Sequence, residues 1–189
     1  MDYKILKKEL VYKGFNKLTK FEFEIDSFDG SRLKKETEVL ERGDSYSIVI
    51  YEKDTDTLLF TEQFRMPVAQ NMNGWMLEMV AGRVEGSDNP EDTIKREALE
   101  EIGYLIDKIE LIAKFYVSPG VSNERIFLYY SEVNTTDMKE KGGGLKEENE
   151  DIKLIKCPVK DIKKMLAGNN IWDAKSIVGM QWFIMNKLS

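Results

Sequence analysis

Alternating apolar and polar positions predict a β-rich segment at the start of the chain. Phe21, Phe23 and Ile25 alternate with acidic residues, which is the two-residue period of a strand with one buried face. Asp29-Gly30 is a dipeptide typical of a hairpin turn. We therefore expect residues 1–45 to form a small N-terminal β lobe.

Residues 46–189, the expected main domain, mix strand patterns with a few helical ones. After the last strand pattern come two amphipathic helices, each with apolar residues on one face. Strands combined with segregated helices indicate an α+β fold, in which helices sandwich a sheet. The apolar runs that predict strands cover residues 46–51, 57–64, 75–80, 109–117, 126–133 and 152–157.

One helix has clear start and stop signals. Asn89 is a good N-cap, and Pro90 suits the first helical position because its missing N–H would have no partner there. The helical pattern runs through Ile102, and Gly103 is a natural terminator. The sequence therefore predicts a short helix that is capped at both ends.

Composition narrows the class of protein. The net charge of −6 argues against a nucleic-acid partner and against an anionic membrane surface, because both attract basic proteins. No apolar run is long enough to span a bilayer, and the first residues lack the apolar core of a signal peptide. Cys157 is the only cysteine, so no intrachain disulfide can form. We expect a cytoplasmic protein.

The chain contains no histidine. Catalysis by Ser-His-Asp or Cys-His groups is therefore excluded, and so is histidine-ligated zinc. Any hydrolysis would have to rely on carboxylates, with oxygen-preferring cations as helpers. Magnesium suits such ligands, and manganese could substitute for it.

Acidic residues cluster around the predicted helix. Residues 85–101 contain seven acidic residues and two basic ones. Glu97 and Glu101 are four residues apart and share a helical face, and Glu100 joins its edge. Like charges at this spacing repel, and bound divalent cations would relieve the repulsion. A solvated acidic face is the alternative for an arbitrary run of glutamates.

The wider pattern resembles the Nudix box: a glycine, five residues, a glutamate, seven residues, then Arg-Glu-apolar-x-Glu-Glu-x-Gly-apolar. This chain has Gly82, then Asp88 in place of the glutamate, then residues 96–104 with matching spacing. The Asp88 position is thought to brace the loop, so we expect the chemistry to survive the change. The resemblance implies a Nudix α/β/α sandwich with a mixed sheet, preceded by the small β lobe.

The same resemblance assigns roles to the box residues. Glu97 and Glu101 would bind metal directly, with Glu100 close by and the Ala81 carbonyl as a further ligand. Arg96 would pair with a box carboxylate and hold it in position. For Arg96 the alternative is an ordinary exposed pair with Glu100, worth only about 0.3–0.5 kcal/mol.

Similarity outside the box points to ADP-ribose pyrophosphatases, with GDP-mannose pyrophosphatases close behind. In such enzymes an acid on the loop before the last core strand acts as general base. Here that acid would be Glu148, with Glu150 able to meet a metal and Glu147 the rival for both roles. The segments that carry this similarity are residues 41–43, 62–65, 77–82, 118–120, 148–152, 174–176 and 181–182.

The resemblance also implies substrate contacts and an assembly. Arg42 and Arg65 would contact the base or the diphosphate, and Glu124 would hydrogen-bond the distal ribose. Arg42 would act from the partner subunit, since these enzymes resemble homodimers that exchange N-terminal lobes. Ordinary salt bridges are the alternative for both arginines.

The sequence thus favours Mg²⁺-dependent hydrolysis of ADP-ribose to AMP and ribose 5-phosphate. GDP-mannose or another nucleoside diphosphate sugar is the nearest alternative. Two alternatives lie outside this class: a catalytically silent sensor of such sugars, and an acidic structural protein whose box is a chance match.

Overall fold

A computed structural model describes residues 1–83 and 89–188. The chain divides into two compact units. The first contains Met1–Asp44 and Tyr116–Arg125, and the second contains Ser45–Phe115 and the residues from Ile126 onward. The first unit therefore includes a segment that is distant from it in sequence.

Three antiparallel strands, paired in chain order, form the sheet of the first unit: β1 (Tyr3–Lys13), β2 (Lys17–Asp26) and β3 (Arg32–Glu41). Strand β2 contains the alternating residues that predicted it. At the predicted hairpin Gly30 has a φ of 84°, a conformation that glycine adopts without a steric penalty. Thr19 is the only residue of 1–44 that is buried in the single chain.

The distant segment of the first unit is attached by backbone and side-chain contacts. The amide of Leu40 donates to the carbonyl of Val121 at 2.8 Å. Asn123 Oδ1 accepts the amides of Arg42 and Gly43, at 2.8 and 3.1 Å. These bonds satisfy backbone groups in the last residues of β3 and just beyond its end.

The second unit is built on a seven-stranded sheet whose strands are β4 (Asp44–Glu52), β5 (Thr57–Phe64), β6 (Trp75–Glu78), β7 (Ala81–Arg83), β8 (Glu110–Tyr116), β9 (Arg125–Val133) and β10 (Lys153–Pro158). A short helix, α1 (Met66–Ala69), follows β5. The order of the strands in the sheet is β10-β5-β4-β9-β8, and in addition β6 pairs with β5 and β7 pairs with β4.

The single strand predicted for residues 75–80 is interrupted. Strand β6 ends at Glu78, and β7 pairs with the start of β4. Between them, the amide of Met79 donates to Ser176 Oγ at 2.8 Å, and the carbonyl of Val80 accepts from Ser47 Oγ at 2.9 Å. Serine side chains thus satisfy the backbone groups where the chain passes from pairing with β5 to pairing with β4. The periodicity of the sequence alone could not indicate this break.

Helices cover both faces of this sheet. Ile48, Ile50 and Leu59 pack with α2 (Pro90–Ile102) on one face. Val49, Leu58 and Phe60 point to the opposite face, where they pack with α3 (Val159–Ala167) and α4 (Ala174–Lys187). This two-residue alternation produces an α+β sandwich around a mixed sheet, and the predicted fold class is confirmed. Within the described residues, no helix has the length and apolarity needed to cross a membrane.

Candidate active site on helix α2

The ends of α2 form as the sequence predicts. Asn89 Oδ1 accepts the amide of Glu91 at 3.0 Å, and Pro90 is the first helical residue. Gly103 closes the helix in the left-handed conformation, with a φ of 80°. A Cβ atom there would lie 2.1 Å from the carbonyl oxygen of Glu140, so only glycine fits.

Arg96 joins two acidic side chains of α2. Its Nη1 donates to Glu100 at 2.7 Å, and its Nη2 donates to Glu97 at 3.1 Å. The contact to Glu100 is the i,i+4 pair considered from the sequence. The second contact shows that the guanidinium bridges both carboxylates.

Glu97 packs against the backbone of β7. A Cβ atom on Gly82 would lie 2.5 Å from Glu97 Cγ and 2.7 Å from Oε1, so the box glycine makes room for this carboxylate. Burial, partly offset by Arg96, raises the pKa of Glu97 to about 7, and Glu100, Glu150 and other acids contribute to the rise. Glu97 is thus a carboxylate that a nearby cation would help to ionise.

Glu101 lies deepest in the site, with only 4% of its surface exposed. Its Oε2 is buried without a hydrogen-bond partner among the described residues. Burial raises the pKa of Glu101 well above its usual range, and the charges of Glu97 and Glu150 add to the effect. A buried oxygen in this state requires a proton or a cation.

A glycine-rich loop packs on the C-terminal end of α2. The amides of Gly143 and Gly144 donate to the carbonyls of Glu101 and Glu100, at 2.9 and 3.0 Å. Gly142, Gly143 and Gly144 all have positive φ, a conformation that residues with a side chain rarely adopt. The run therefore satisfies helix-end carbonyls that would otherwise lack partners.

This loop brings its acids toward the box glutamates. Glu150 Oε2 accepts the amide of Leu145 at 3.0 Å, and its charge acts on both Glu97 and Glu101. Glu148 ends a short 3₁₀ turn, is exposed, and contributes to the pKa of Glu97. Glu147 is exposed in the same turn.

The chemistry of these donors fits a divalent cation. Carboxylate oxygens are the ligands that Mg²⁺ prefers, and Glu101 Oε2, which no described residue satisfies, has an unmet need for positive charge. Ala81, whose carbonyl is the remaining expected ligand, begins β7 directly before Gly82. Across residues 1–83 and 89–188, no three acidic or cysteine side chains already converge as metal ligands. Binding a cation would require the acidic side chains to turn toward one another, and Glu97 could offer its Oε2 while its Oε1 stays paired with Arg96.

Arg65 follows β5 and pairs with a buried acid. Its Nε and Nη2 donate to the two carboxylate oxygens of Glu78, at 2.8 and 2.9 Å. Burial alone would raise the pKa of Glu78, but hydrogen bonds from Arg65 and the charges of Lys175 and Arg65 lower it to about 2. Arg65 therefore forms a salt bridge, which was the alternative to substrate binding considered from the sequence. Its side chain is nevertheless 43% exposed.

The two other expected substrate contacts belong to the first unit. Arg42 Nη1 donates to Asn16 Oδ1 at 2.7 Å. Glu124 donates its amide to Ser122 Oγ at 3.1 Å and accepts from the amide of Val117 at 3.2 Å through its carbonyl. Asp88, the departure from the box, lies outside the described residues.

A third buried carboxylate, Glu52, escaped the sequence analysis. Glu52 is fully buried, accepts Lys156 Nζ at 2.7 Å, and receives hydrogen bonds from Tyr104 and Thr55. The network joins β4, β10 and the residue after Gly103, and so fixes the exit from α2. Glu52, Tyr104 and Lys156 are far apart in the sequence, so no local pattern could have revealed this network.

Comparisons with known proteins agree with this geometry. The Nudix domain family matches residues 41–178, which contain every box position. The chain is 34% identical over 176 residues to a GDP-mannose pyrophosphatase of Yersinia pestis (strain Pestoides F), covering 92% of this chain and 87% of that protein. It is 32% identical over 183 residues to a GDP-mannose pyrophosphatase of Pectobacterium atrosepticum, covering 96% of this chain and 93% of the relative. The chain therefore belongs to the Nudix family, and the protein is a Nudix hydrolase.

Proposed function

We propose that this hydrolase cleaves the diphosphate bridge of a nucleoside diphosphate sugar, with GDP-mannose as the preferred substrate. The observation that carries the proposal is the buried Oε2 of Glu101, which has no hydrogen-bond partner in residues 1–83 and 89–188 and lies on a helix with the box spacing. Water would be added across the bridge, so that GDP-mannose gives GMP and mannose 1-phosphate.

The choice of sugar nucleotide revises the expectation from sequence. ADP-ribose was favoured there, but relatives that share about a third of their residues with this chain are named GDP-mannose pyrophosphatases. Because their similarity extends over almost the whole chain, they support the former alternative better. The silent-sensor alternative loses support, since Glu97, Glu100 and Glu101 are all present and the relatives are named as enzymes.

A divalent cation, proposed to be Mg²⁺, is the cofactor. Glu97, Glu101 and Glu150 would hold it, together with the carbonyl oxygen of Ala81. When bound, it would neutralise the diphosphate and lower the pKa of a bound water. The high pKa values of Glu97 and Glu101 support this assignment, because a cation offsets the cost of keeping buried carboxylates ionised.

The protein's own groups would position the substrate and move a proton. Glu148 is proposed as the general base, because it is exposed and its charge already acts on Glu97. Glu147, in the same turn, is the rival. Arg96 would keep Glu97 and Glu100 in place through the contacts described above. Arg65 would contact the diphosphate or the base through N–H groups that Glu78 does not occupy.

The remaining proposals concern the dimer. Tyr3, Ile5, Leu10 and Val11 of β1 are exposed in the single chain, and this concentration of exposed apolar residues on one strand favours an interface. We propose a homodimer that exchanges residues 1–45, in which Arg42 of the partner subunit and Glu124 contact the substrate. A monomeric mass in solution at micromolar concentration would contradict the dimer.

The substrate assignment is tested by comparing initial rates on GDP-mannose and ADP-ribose with Mg²⁺ in excess. We expect GMP and mannose 1-phosphate from the first, at a kcat/KM at least about tenfold above that for ADP-ribose, a difference of about 1.4 kcal/mol. A preference for ADP-ribose would restore the original assignment. Absence of turnover on either substrate, with tight binding retained, would favour the sensor.

A further inference from the structure

The salt bridge of Arg65 is part of a larger buried ion cluster. Glu78, at the end of β6, has 5% of its side chain exposed. Lys175 Nζ donates to Glu78 Oε2 at 2.9 Å and to Asp173 Oδ1 at 2.9 Å. The side chains of Lys175 and Asp173 are 12% and 15% exposed, so solvent screens these contacts little.

The first turn of α4 fixes this cluster. Asp173 is the N-cap residue, and its Oδ2 accepts the amide of Ser176 at 3.0 Å. Ser176 Oγ in turn accepts the amide of Met79, the residue after Glu78. Lys175 is therefore held on both sides, by the helix cap and by the end of the strand that it contacts.

Glu78 Oε2 is shared by Arg65 Nη2 and Lys175 Nζ. A carboxylate held by one flexible arginine could rotate with it, whereas a second, nearly buried cation restricts that rotation. The Arg65 amide also donates to the carbonyl of Gly74 at 2.7 Å, which fixes the backbone. The orientation of the guanidinium then depends on Glu78, and that of Glu78 depends on Lys175.

We propose that Lys175 is a positioning residue: through Glu78 it orients the Arg65 guanidinium for contact with the diphosphate or base of the substrate. This inference rests on the proposed function, since it requires Arg65 to bind substrate. The competing explanation is purely structural, with Lys175 only attaching α4 to the sheet.

Three variants separate these explanations. Lys175→Met removes the ammonium group but keeps an unbranched side chain, and Lys175→Arg keeps a cation. Lys163→Met is the matched control, because Lys163 is an exposed lysine on α3.

For Lys175→Met we expect the KM for GDP-mannose to rise about tenfold while kcat changes less than about threefold, the pattern of a lost contact made equally in ground and transition states. Lys175→Arg should recover most of the affinity, and Lys163→Met should match wild type. A purely structural role would instead lower the melting temperature and the active fraction without changing KM, and that result would overturn the proposal.

The path through Arg65 is tested by a double-mutant cycle. In an Arg65→Met background, adding Lys175→Met should change KM by less than about twofold, because the group that Lys175 orients has been removed. An undiminished tenfold rise in that background would show that Lys175 acts by another route and would overturn the proposal.

A substrate-free measurement keeps this inference separate from the proposed function. The Nε–Hε resonance of Arg65 can be assigned because it is absent from the spectrum of Arg65→Lys. In wild type and in Lys163→Met, this proton should exchange slowly with water and its resonance should be sharp. It should broaden or disappear in Lys175→Met, and an unchanged resonance would overturn the proposal. If wild type hydrolyses no nucleoside diphosphate sugar, the proposed function fails, and the resonance alone decides whether Lys175 positions Arg65.

Discussion

Gly82 and Glu97 are in such close contact that a methyl group on the glycine would lie 2.5 Å from Glu97 Cγ. The two residues are on different elements, β7 and α2, and the undescribed residues 84–88 connect them. The box glycine is therefore required by the space that Glu97 occupies. The φ angle of Gly82 is not positive, so an alanine at this position would clash with Glu97 without straining the backbone.

Gly82→Ala should displace Glu97 and lower kcat/KM by about 100-fold, the scale expected when a catalytic group moves by about 1 Å. Steady-state kinetics would measure the loss, and circular dichroism would verify that the fold is retained. Gly120→Ala is the control, since a Cβ atom there has no neighbour within 4 Å. Equal activities of the two variants would contradict the packing role of Gly82.

Glu101→Gln tests the buried charge through stability. Because the folded-state pKa of Glu101 is raised, the native state binds more protons than the unfolded state, and this group lowers stability as pH rises above its unfolded value near 4.5. A glutamine at this position does not ionise, so the variant should not lose stability in this way as the pH rises. Without metal, its melting temperature should therefore exceed that of wild type by an amount that grows as the pH rises above about 4.5.

The same variant should lose the response to cations. Mg²⁺ or Mn²⁺ should raise the melting temperature of wild type, because a ligand that binds only the native state stabilises it. In Glu101→Gln this shift should be much smaller, and kcat should fall at least about 100-fold, as when charge stabilisation of a transition state is removed. Full activity in the variant would remove Glu101 from its proposed role.

Glu148→Gln and Glu147→Gln form a matched pair in one exposed turn. If Glu148 accepts the proton from water, its variant should lose about 10²–10⁴-fold in kcat with little change in KM. The Glu147 variant should stay within about threefold of wild type. The reverse result would transfer the role to Glu147, and two active variants would exclude both acids as the base.

Gly144→Ala tests the docking of the loop acids. A Cβ atom at Gly144 would lie 2.7 Å from Glu150 Oε2, and the residue has a φ of 78°. Gly30→Ala is the control for backbone strain, because its φ is 84° and a Cβ atom there meets nothing within 4 Å. Backbone strain should cost each variant about 1 kcal/mol of stability, and the clash with Glu150 should add to the loss in Gly144→Ala. Only Gly144→Ala should weaken cation binding in a calorimetric titration.

The sequence by itself determined the elements whose signals are local. Capping by Asn89, the stop at Gly103, the alternation along β2 and the apolar runs of β4 and β5 each depend on neighbours within a few residues, so they could be predicted before any packing was known. The box spacing likewise placed Glu97 and Glu101 on one face of α2, because helical periodicity alone fixes that relationship.

Only the tertiary structure decided which distant groups meet. The split between β6 and β7 depends on Ser47 and Ser176, and the ion cluster on Glu78 joins residues 65, 78 and 175. Periodicity describes one element at a time, whereas burial, electrostatic shifts and shared hydrogen bonds arise between elements after they pack. For that reason the acids of the site were visible in the sequence, but the depth of Glu101 and the contacts that hold Arg65 were not.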